Sequence, residues 1–516
     1  MEFNAVVCPA GGQSLICLRQ LPLPEAALPI RPRTLAGILA VSFLLPGHLA
    51  TAGERAASVE HLPGVPPAYQ GDFPSLAALN VRNASVEQVV TGLHRPWALE
   101  FIDAQTALVT ELHGDLLVVD LRDGSRTRID GLPPFATDHD QTGLLDVALH
   151  PGFAINRRIY FSYVEADPET GRYFTPVVAT AVLAGERLED LRVLLRVEPY
   201  GWSPANFGGA LAFDHAGFLY VTIGDRSEDA IAQRGDRLEG KVLRLHDDGS
   251  VPVDNPFVGD EAVDDRIYAL GLRNAQGLHY DPVSRRLFAA EHGPLGGDEV
   301  NVIEAGANYG WPVITYGRNY STAPIGEGTH RQGMRQPLFY YLPSEAISPI
   351  TQYRGTMFPE WEGDLLVGAL KGQHVSKLDL DGAVVRSEYP LLGELNGRVR
   401  DVKVHADGSI YILLQTGTLH RLARSEAEAP PRAAGDPAEI YGLVCAGCHD
   451  TGAGNAPRPG DTERWREIRE RPREEVYRRV IEGFGAMPER GLCNICTDAH
   501  LRATTDYMLG QSGAGS

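Results

Sequence analysis

No apolar run in this sequence is long enough to cross a bilayer. The longest candidate, Leu35–Leu45, has 11 residues against the ~20 that a helical span needs, which excludes a helical membrane protein. Basic residues are in the minority. Lys+Arg 47 against Asp+Glu 67 leaves a net charge of −20, and so acidic a surface repels phosphate backbones, which excludes nucleic acid as a partner. Lysine itself is nearly missing, with four in the chain. Cysteine is scarce: of six, four lie at or beyond Cys445, so the bulk of the chain does not depend on disulfides. Helical periodicity is also missing from about residue 84 to 422. What abounds is glycine and proline, 56 and 36, natural for a turn-rich β protein. At roughly 150 residues per domain, the length suits three domains, or one repeat fold with a small companion.

The N-terminal region has the order of a secretory signal. Arg31 and Arg33 precede the apolar run, and Ala50-Thr51-Ala52 follows it, as in a charged, apolar, A-x-A leader. The alternative is a buried strand or helix. Residues 1–52 are expected to be leader and signal peptide, with the first 30 no part of the working protein. No methionine separates Met1 from Met334. A periplasmic or secreted bacterial protein is implied, with no membrane span once the signal is removed.

A loose unit recurs along the next 340 or so residues, a short apolar run, a turn, and a second run. It is seen at Trp97–Phe101 with Ala107–Glu111, Leu144–His150 with Arg158–Tyr163, and Gly209–Phe213 with Phe218–Gly224. It returns at Gly277–Tyr280 with Leu287–Glu291, Gly355–Phe358 with Asp364–Gly368, and Val399–His405 with Ser409–Leu414. Six copies predict an all-β six-bladed propeller over 84–422; an array of β-sandwiches is the alternative. The stretch Val86–Gly92 is expected to close the ring by joining the last blade. Residues 423–435, with paired prolines, read as a linker. Residues 436–510 turn helical: Asp436-Pro437 opens one helix and Thr497-Asp498 another. A small all-α domain is expected there.

That domain holds Cys445-Ala-Gly-Cys448-His449, the C-x-x-C-H attachment sequence of c-type haem. Two thiols one helical turn apart meet two vinyl groups, and the next residue brings an imidazole to the iron. Met487 is the expected sixth ligand, a thioether suited to electron transfer. Zinc competes, because Cys493 and Cys496 form a second pair, yet the pairs stand farther apart than the roughly 15–20 residues of a compact zinc site. The segment resembles short bacterial c-type cytochromes with an extra cysteine pair after the ligand methionine. That resemblance implies a Cys493–Cys496 disulfide.

Nine motifs mark the β region in order: Gln141–Pro151, Asn206-Phe-Gly-Gly-Ala-Leu, Gly224-Asp225-Arg226, Leu272-Arg273-Asn274-Ala-Gln-Gly277, Glu291-His-Gly-Pro294, Gly297-Asp-Glu-Val-Asn301, Asn308-Tyr-Gly-Trp-Pro312, Leu370-Lys371-Gly372 and Gly397-Arg398-Val-Arg400-Asp401. Together they resemble the soluble aldose sugar dehydrogenases that use pyrroloquinoline quinone (PQQ). A quinone with three carboxylates needs fixed cations, and Arg273, Arg398, Arg400 and Lys371 would supply them. By resemblance, Gln141 and Asn274 also line the cofactor site, and Arg273 also serves catalysis. The Gly293 and Pro294 carbonyls would hold a calcium ion on the quinone, and Glu299 and Tyr309 would hold a structural calcium.

One position departs from the family. Its base is a histidine followed by aromatic-Gly-Gly-Arg, assisted by an aspartate. Here Asn206 stands for the histidine and Ala210 for the arginine, while Asp225 is kept. An amide cannot take a hydroxyl proton at neutral pH; His139 is a candidate replacement. The expected function is oxidation of a sugar or related alcohol through PQQ, with electrons passed to the fused haem and then to an acceptor such as a cytochrome or quinone. The alternative is a ligand-binding propeller with an electron-transfer tail.

Overall fold

The computed structural model describes residues 84–424, 437–485, 487–493 and 496–511. The expected leader and signal peptide, and the expected linker beyond Arg424, lie outside the described residues. Residues 84–424 form six four-stranded antiparallel sheets. The innermost strands are Pro96–Phe101, Leu144–Leu149, Gly208–Phe213, Ala275–Asp281, Ile347–Gln352 and Val399–Val404. Each packs on the next, and the last packs on the first, so the ring is closed. The strand Ala84–Val90 takes the outermost place beside Thr418–Arg424, with Ala84 opposite Arg424. Closure by strand pairing covers the outer edge of Thr418–Arg424 and gives the last blade its fourth strand.

Burial grades outward across each blade. Leu219–Ile223, Lys241–Leu245 and Leu365–Ala369 are buried at every position, because both faces of these strands meet neighbouring blades. Outermost strands such as Arg187–Arg196 are mostly exposed. Short continuous apolar runs are therefore what the sequence displays.

Hydroxyls stitch the blades together. Thr110 Oγ1 accepts the Ala98 N–H at 3.0 Å and donates to the Leu145 carbonyl of the next blade at 2.6 Å. Ser162 does the same between Asp146 and Gly209, and Thr222 between Ala210 and Ala275. Each sits where the inner pair slips register, and all six blades slip near the start of the innermost strand. Such bulges turn the chain and re-aim side chains. They lie at one face of the ring, where the innermost strands begin and the second strands end.

The fifth blade differs from expectation. Its innermost strand is Ile347–Gln352, whereas Gly355–Phe358 lies in the loop that follows. Pro349 interrupts the run and discourages a strand reading, but it falls within the register slip between Ile347 and Ile350, where a missing N–H is tolerated.

The C-terminal part is helical: Pro437–Ile440 runs on through a wider turn, Tyr441–Cys445, into Ala446–His449, and Thr462–Arg469, Arg473–Glu482 and Asp498–Gln511 follow. Pro437–Ile440 packs on Asp498–Gln511. Ile440, Leu501 and the disulfide-bonded Cys493 and Cys496 form one apolar cluster, and Trp465, Val476 and Leu509 another. Among the described residues no helix is long and apolar enough to cross a membrane.

Candidate functional site

The bulged face gathers most of the residues singled out from sequence. Asn206 precedes the third innermost strand with φ of +56°, a left-handed conformation asparagine tolerates. Its N–H donates to Gln141 Oε1 at 3.0 Å, and its Nδ2 donates to Asp225 Oδ1 at 2.9 Å. Asp225 is fully buried and also accepts from the Ser227 N–H and from the Trp311 indole, both at 2.9 Å. Burial raises its pKa, opposed by Arg273 and the Asn206 amide. Because a carboxylate only accepts, the Asn206 nitrogen must face Asp225, and its Oδ1 points away.

Glycine is required beside this pair. A Cβ on Gly224 would meet the Asn206 carbonyl oxygen at 2.2 Å and Asn274 Oδ1 at 3.0 Å. Asn274 itself accepts from the Gly208 N–H at 3.0 Å, which ties the third and fourth blades.

The cations stand around the same mouth and spend their donors on neutral oxygens. Arg273 Nη1 donates to the His292 and Gly293 carbonyls at 3.0 and 3.2 Å, and its guanidinium lies 5.5 Å from the Trp311 ring. Arg400 Nη1 donates to Gln276 Oε1 at 3.2 Å and lies 3.9 Å from the Trp97 ring. Arg398 donates to Gln415, and Lys371 to the Ser344 carbonyl, both at 2.9 Å. Burial, with Arg398 and Arg95 adding repulsion, lowers the Arg400 pKa to about 9. Arg273 Nε, Arg400 Nε and His292 Nε2 are buried with no hydrogen-bond partner. Unmet donors on cations held out of water are costly unless an anion answers them. The set fits a flat polycarboxylate.

The Gly293 turn fits a backbone-carbonyl site, since a Cβ there would meet Gly296 and Gly297 carbonyl oxygens at 2.3 and 2.4 Å. Its own carbonyl accepts one hydrogen bond, from Arg273 Nη1 at 3.2 Å, and keeps a second lone pair. Glu299 lies directly across from Glu291, and Asn301 Nδ2 donates to Glu291 at 2.9 Å and to Glu299 at 3.3 Å. Burial raises Glu291 to about 7 and Glu299 well above the usual range, each aggravated by a neighbouring acid. The Tyr309 hydroxyl donates to the Val302 carbonyl at 2.5 Å. His139 is exposed, its ring edge-on to Phe174 at 5.3 Å; no hydrogen bond joins it to Asn206 or Asp225 among the described residues.

Several contributors had no role assigned from sequence: Trp97, Arg226, Gln276, His292 and Trp311. Four of them fall inside the quoted motifs, which was the available signal. Trp311 reaches the mouth because residues 304–311 leave the meander and climb beside the third blade, pairing Asn308 with Leu270 in parallel.

In the helical part, a cavity of about 560 Å³ is lined by Cys445, Cys448, His449, Trp465, Phe484 and Met487, among others. Both thiols are free, and burial raises Cys445 to about 11. His449 Nδ1 donates to the Pro457 carbonyl at 3.0 Å. A proline carbonyl can only accept, so the proton is on Nδ1 and Nε2 keeps its lone pair for a metal. Cys493 and Cys496 are bonded to each other, which removes the zinc alternative. The donor set and the apolar cavity fit a covalent haem.

Comparison with known proteins finds relatives for both parts of the chain. The family model Glucose / Sorbosone dehydrogenase matches residues 93–421, and Cytochrome C oxidase, cbb3-type, subunit III matches 432–508. The chain is 38% identical over 338 residues to the Aldose sugar dehydrogenase YliI of Escherichia coli (strain K12), covering 64% of this chain and 89% of that protein. It is 25% identical to the solved PQQ-bound form of Aldose Sugar Dehydrogenase from Streptomyces coelicolor, with a TM-score of 0.55 over 66% of this chain and 98% of that one. The C-terminal part is 35% identical over 74 residues to Cytochrome c5 of Ectopseudomonas mendocina, which is 14% of this chain and 85% of that protein. The chain thus belongs to the glucose/sorbosone dehydrogenase family and carries a fused cytochrome c domain.

Proposed function

We propose that this protein oxidises a C–OH group of a sugar or related alcohol with PQQ and hands the electrons to its own haem c, outside the cytoplasm of a bacterium. The observation that carries the reading is the cation set at the propeller mouth, in which the Nε atoms of Arg273 and Arg400 are buried and unmet. Bound quinone would supply a two-electron acceptor, and covalent haem a one-electron carrier.

The chain's own residues do the rest. Arg273, Arg398, Arg400 and Lys371 hold the cofactor's carboxylates, with Gln141 and Asn274 shaping the pocket wall. The Gly293 and Pro294 carbonyls are the proposed calcium ligands at the quinone, and Glu299 with the Tyr309 carbonyl those of a structural calcium. Asp225 fixes Asn206, whose Oδ1 accepts a substrate hydroxyl's hydrogen bond and orients it without taking the proton. Cys445 and Cys448 would hold the haem covalently, with His449 Nε2 and Met487 as the ligands offered to its iron. A downstream cytochrome or quinone would receive the electrons.

A second reading rests on the Asn206 amide locked to Asp225: a ligand-binding propeller with an electron-transfer tail. Loading the protein with PQQ and calcium and following dye reduction on a panel of aldoses separates the two. Substrate-dependent reduction supports the enzyme. Saturable sugar binding with no reduction at full quinone occupancy supports the binding module.

A further inference from the structure

Sugar oxidation at this mouth leaves its protons without an acceptor. Turning a C–OH group into a carbonyl releases two electrons and two protons, and a haem takes electrons singly and no proton. Asn206 is an amide and does not accept a proton. Asp225 is fully buried under hydrogen bonds from Asn206, Ser227 and Trp311. Carboxylates without a role do stand on the axis of the ring, beneath the cations.

Residues from five of the six innermost strands line a cavity of about 30 Å³ there, Trp97, Asp146, Gln276, Pro349 and Arg400 among them. Its size and polar lining suit a single water. Strand positions give the order of depth. Gln276 and Arg400 are second in their strands and are joined at 3.2 Å. Asp146 and Asp401 are third. Lys403 and Glu100 are fifth, bonded to each other at 2.9 Å, with side chains 30% and 29% exposed. The axis thus runs from the cofactor cations, past two carboxylates, to an ion pair that water reaches towards the back of the ring.

Asp146 is fixed in place, accepting the Val147 N–H at 2.8 Å and the Leu211 N–H of the next blade at 2.7 Å. It is half-buried at the centre of the molecule, as a group beside a narrow bore is. Lys403 and Asp401 of the sixth blade act on it directly, while Glu100 of the first and His279 of the fourth act on Lys403. Burial raises the Asp146 pKa to about 7, with Lys403 opposing and Asp401 adding. A carboxyl that gains and loses its proton near neutrality is suited to relay work.

We infer that the axial bore is a proton exit, in which Asp146 takes protons released at the cofactor and passes them by water to solvent at the Lys403–Glu100 end. At each hand-over one O–H bond breaks and another forms, and two protons leave for each substrate oxidised. The haem receives the two electrons by a separate route.

This inference rests on the sugar-oxidation reading, and the test separates the two. The full-length protein, loaded with PQQ and calcium, is mixed with an aldose in H2O and in D2O, and haem reduction is followed by stopped flow. Asp146→Ala should slow reduction about tenfold at pH 7 and leave KM and quinone affinity within about twofold. Formate, a carboxylate sized for the space the variant opens, should restore the rate. Leu278→Phe fills the bore without touching a charge and should slow reduction likewise. In the protein without quinone, a protonated-carboxyl infrared band present at pH 6 and fading by pH 8 should be missing from Asp146→Ala. Absence of that band from the native protein overturns the exit. So do unchanged rates and isotope effects in both variants, or a loss in Asp146→Ala that formate does not relieve and Leu278→Phe does not share. In those cases oxidation itself stands. No haem reduction by any sugar in the native protein overturns the oxidation reading, and the exit with it.

Discussion

At the residue scale, the site turns on Asn206. Histidine is, like asparagine, among the residue types that accept a left-handed backbone, so Asn206→His should fit at φ of +56°. Buried Asp225 is already placed to orient an imidazole. A positioned base contributes ~10²–10⁴-fold, and Asn206→His should raise aldose turnover by a factor in that range at equal quinone occupancy, checked by absorbance. Fast native turnover that falls in the variant would place the base elsewhere, with His139→Ala next to test. Asn206, Asp225 and Arg273 were legible because each lies in a contiguous motif. The Trp311–Asp225 hydrogen bond spans 86 positions, and no local pattern announces it.

A second residue-scale outcome concerns acid. Burial lowers His279 to about 4, with the Lys403 charge adding, and its Nε2 is sealed without a partner. The unfolded chain takes up a proton near the ordinary 6.5 that the fold refuses. Stability is therefore full above that value and is lost as pH falls from about 6.5 towards 4. The loss is at most ~3 kcal/mol. Urea unfolding at pH 7 and 4.5 should show a smaller drop for His279→Leu than for the native protein; an equal drop would place the acid sensitivity in other groups.

At the scale of elements, short apolar runs revealed the blades because the inner strands are packed on both faces. The reading failed at Ile347–Gln352, where a proline sits in the one part of the strand that needs no ladder bond. In the helical part, Met487 is held by a tight turn: Phe484 and Met487 exchange backbone hydrogen bonds at 2.9 and 3.0 Å. Met487→Ala should keep the covalent haem and lower its reduction potential, since loss of the thioether removes what raises it. Redox titration followed by absorbance checks this, and an unchanged potential would remove Met487 as ligand.

At the scale of the whole molecule, the proposed function makes the transfer of electrons to the tethered haem internal. Haem reduction by substrate should be first order and independent of protein concentration, measured by stopped flow over a tenfold concentration range. A rate that rises with concentration would mean that haem is reduced by another copy.

The pairing of Ala84 with Arg424 bears on that tether. The third strand of each blade runs away from the bulged face, so Thr418–Arg424 delivers the chain to the back of the ring, where Ala84 also enters. The cytochrome is thus leashed from behind the ring, not from the mouth. Twelve residues separate Arg424 from Pro437, a length that spans about 20 Å relaxed and about 45 Å at full stretch, while a six-residue strand alone stands about 20 Å tall. Relaxed, a leash of that length matches the height of the ring. Removing eight residues from it, which leaves about 17 Å at full stretch, should turn the first-order reduction concentration-dependent, and adding four should not slow it.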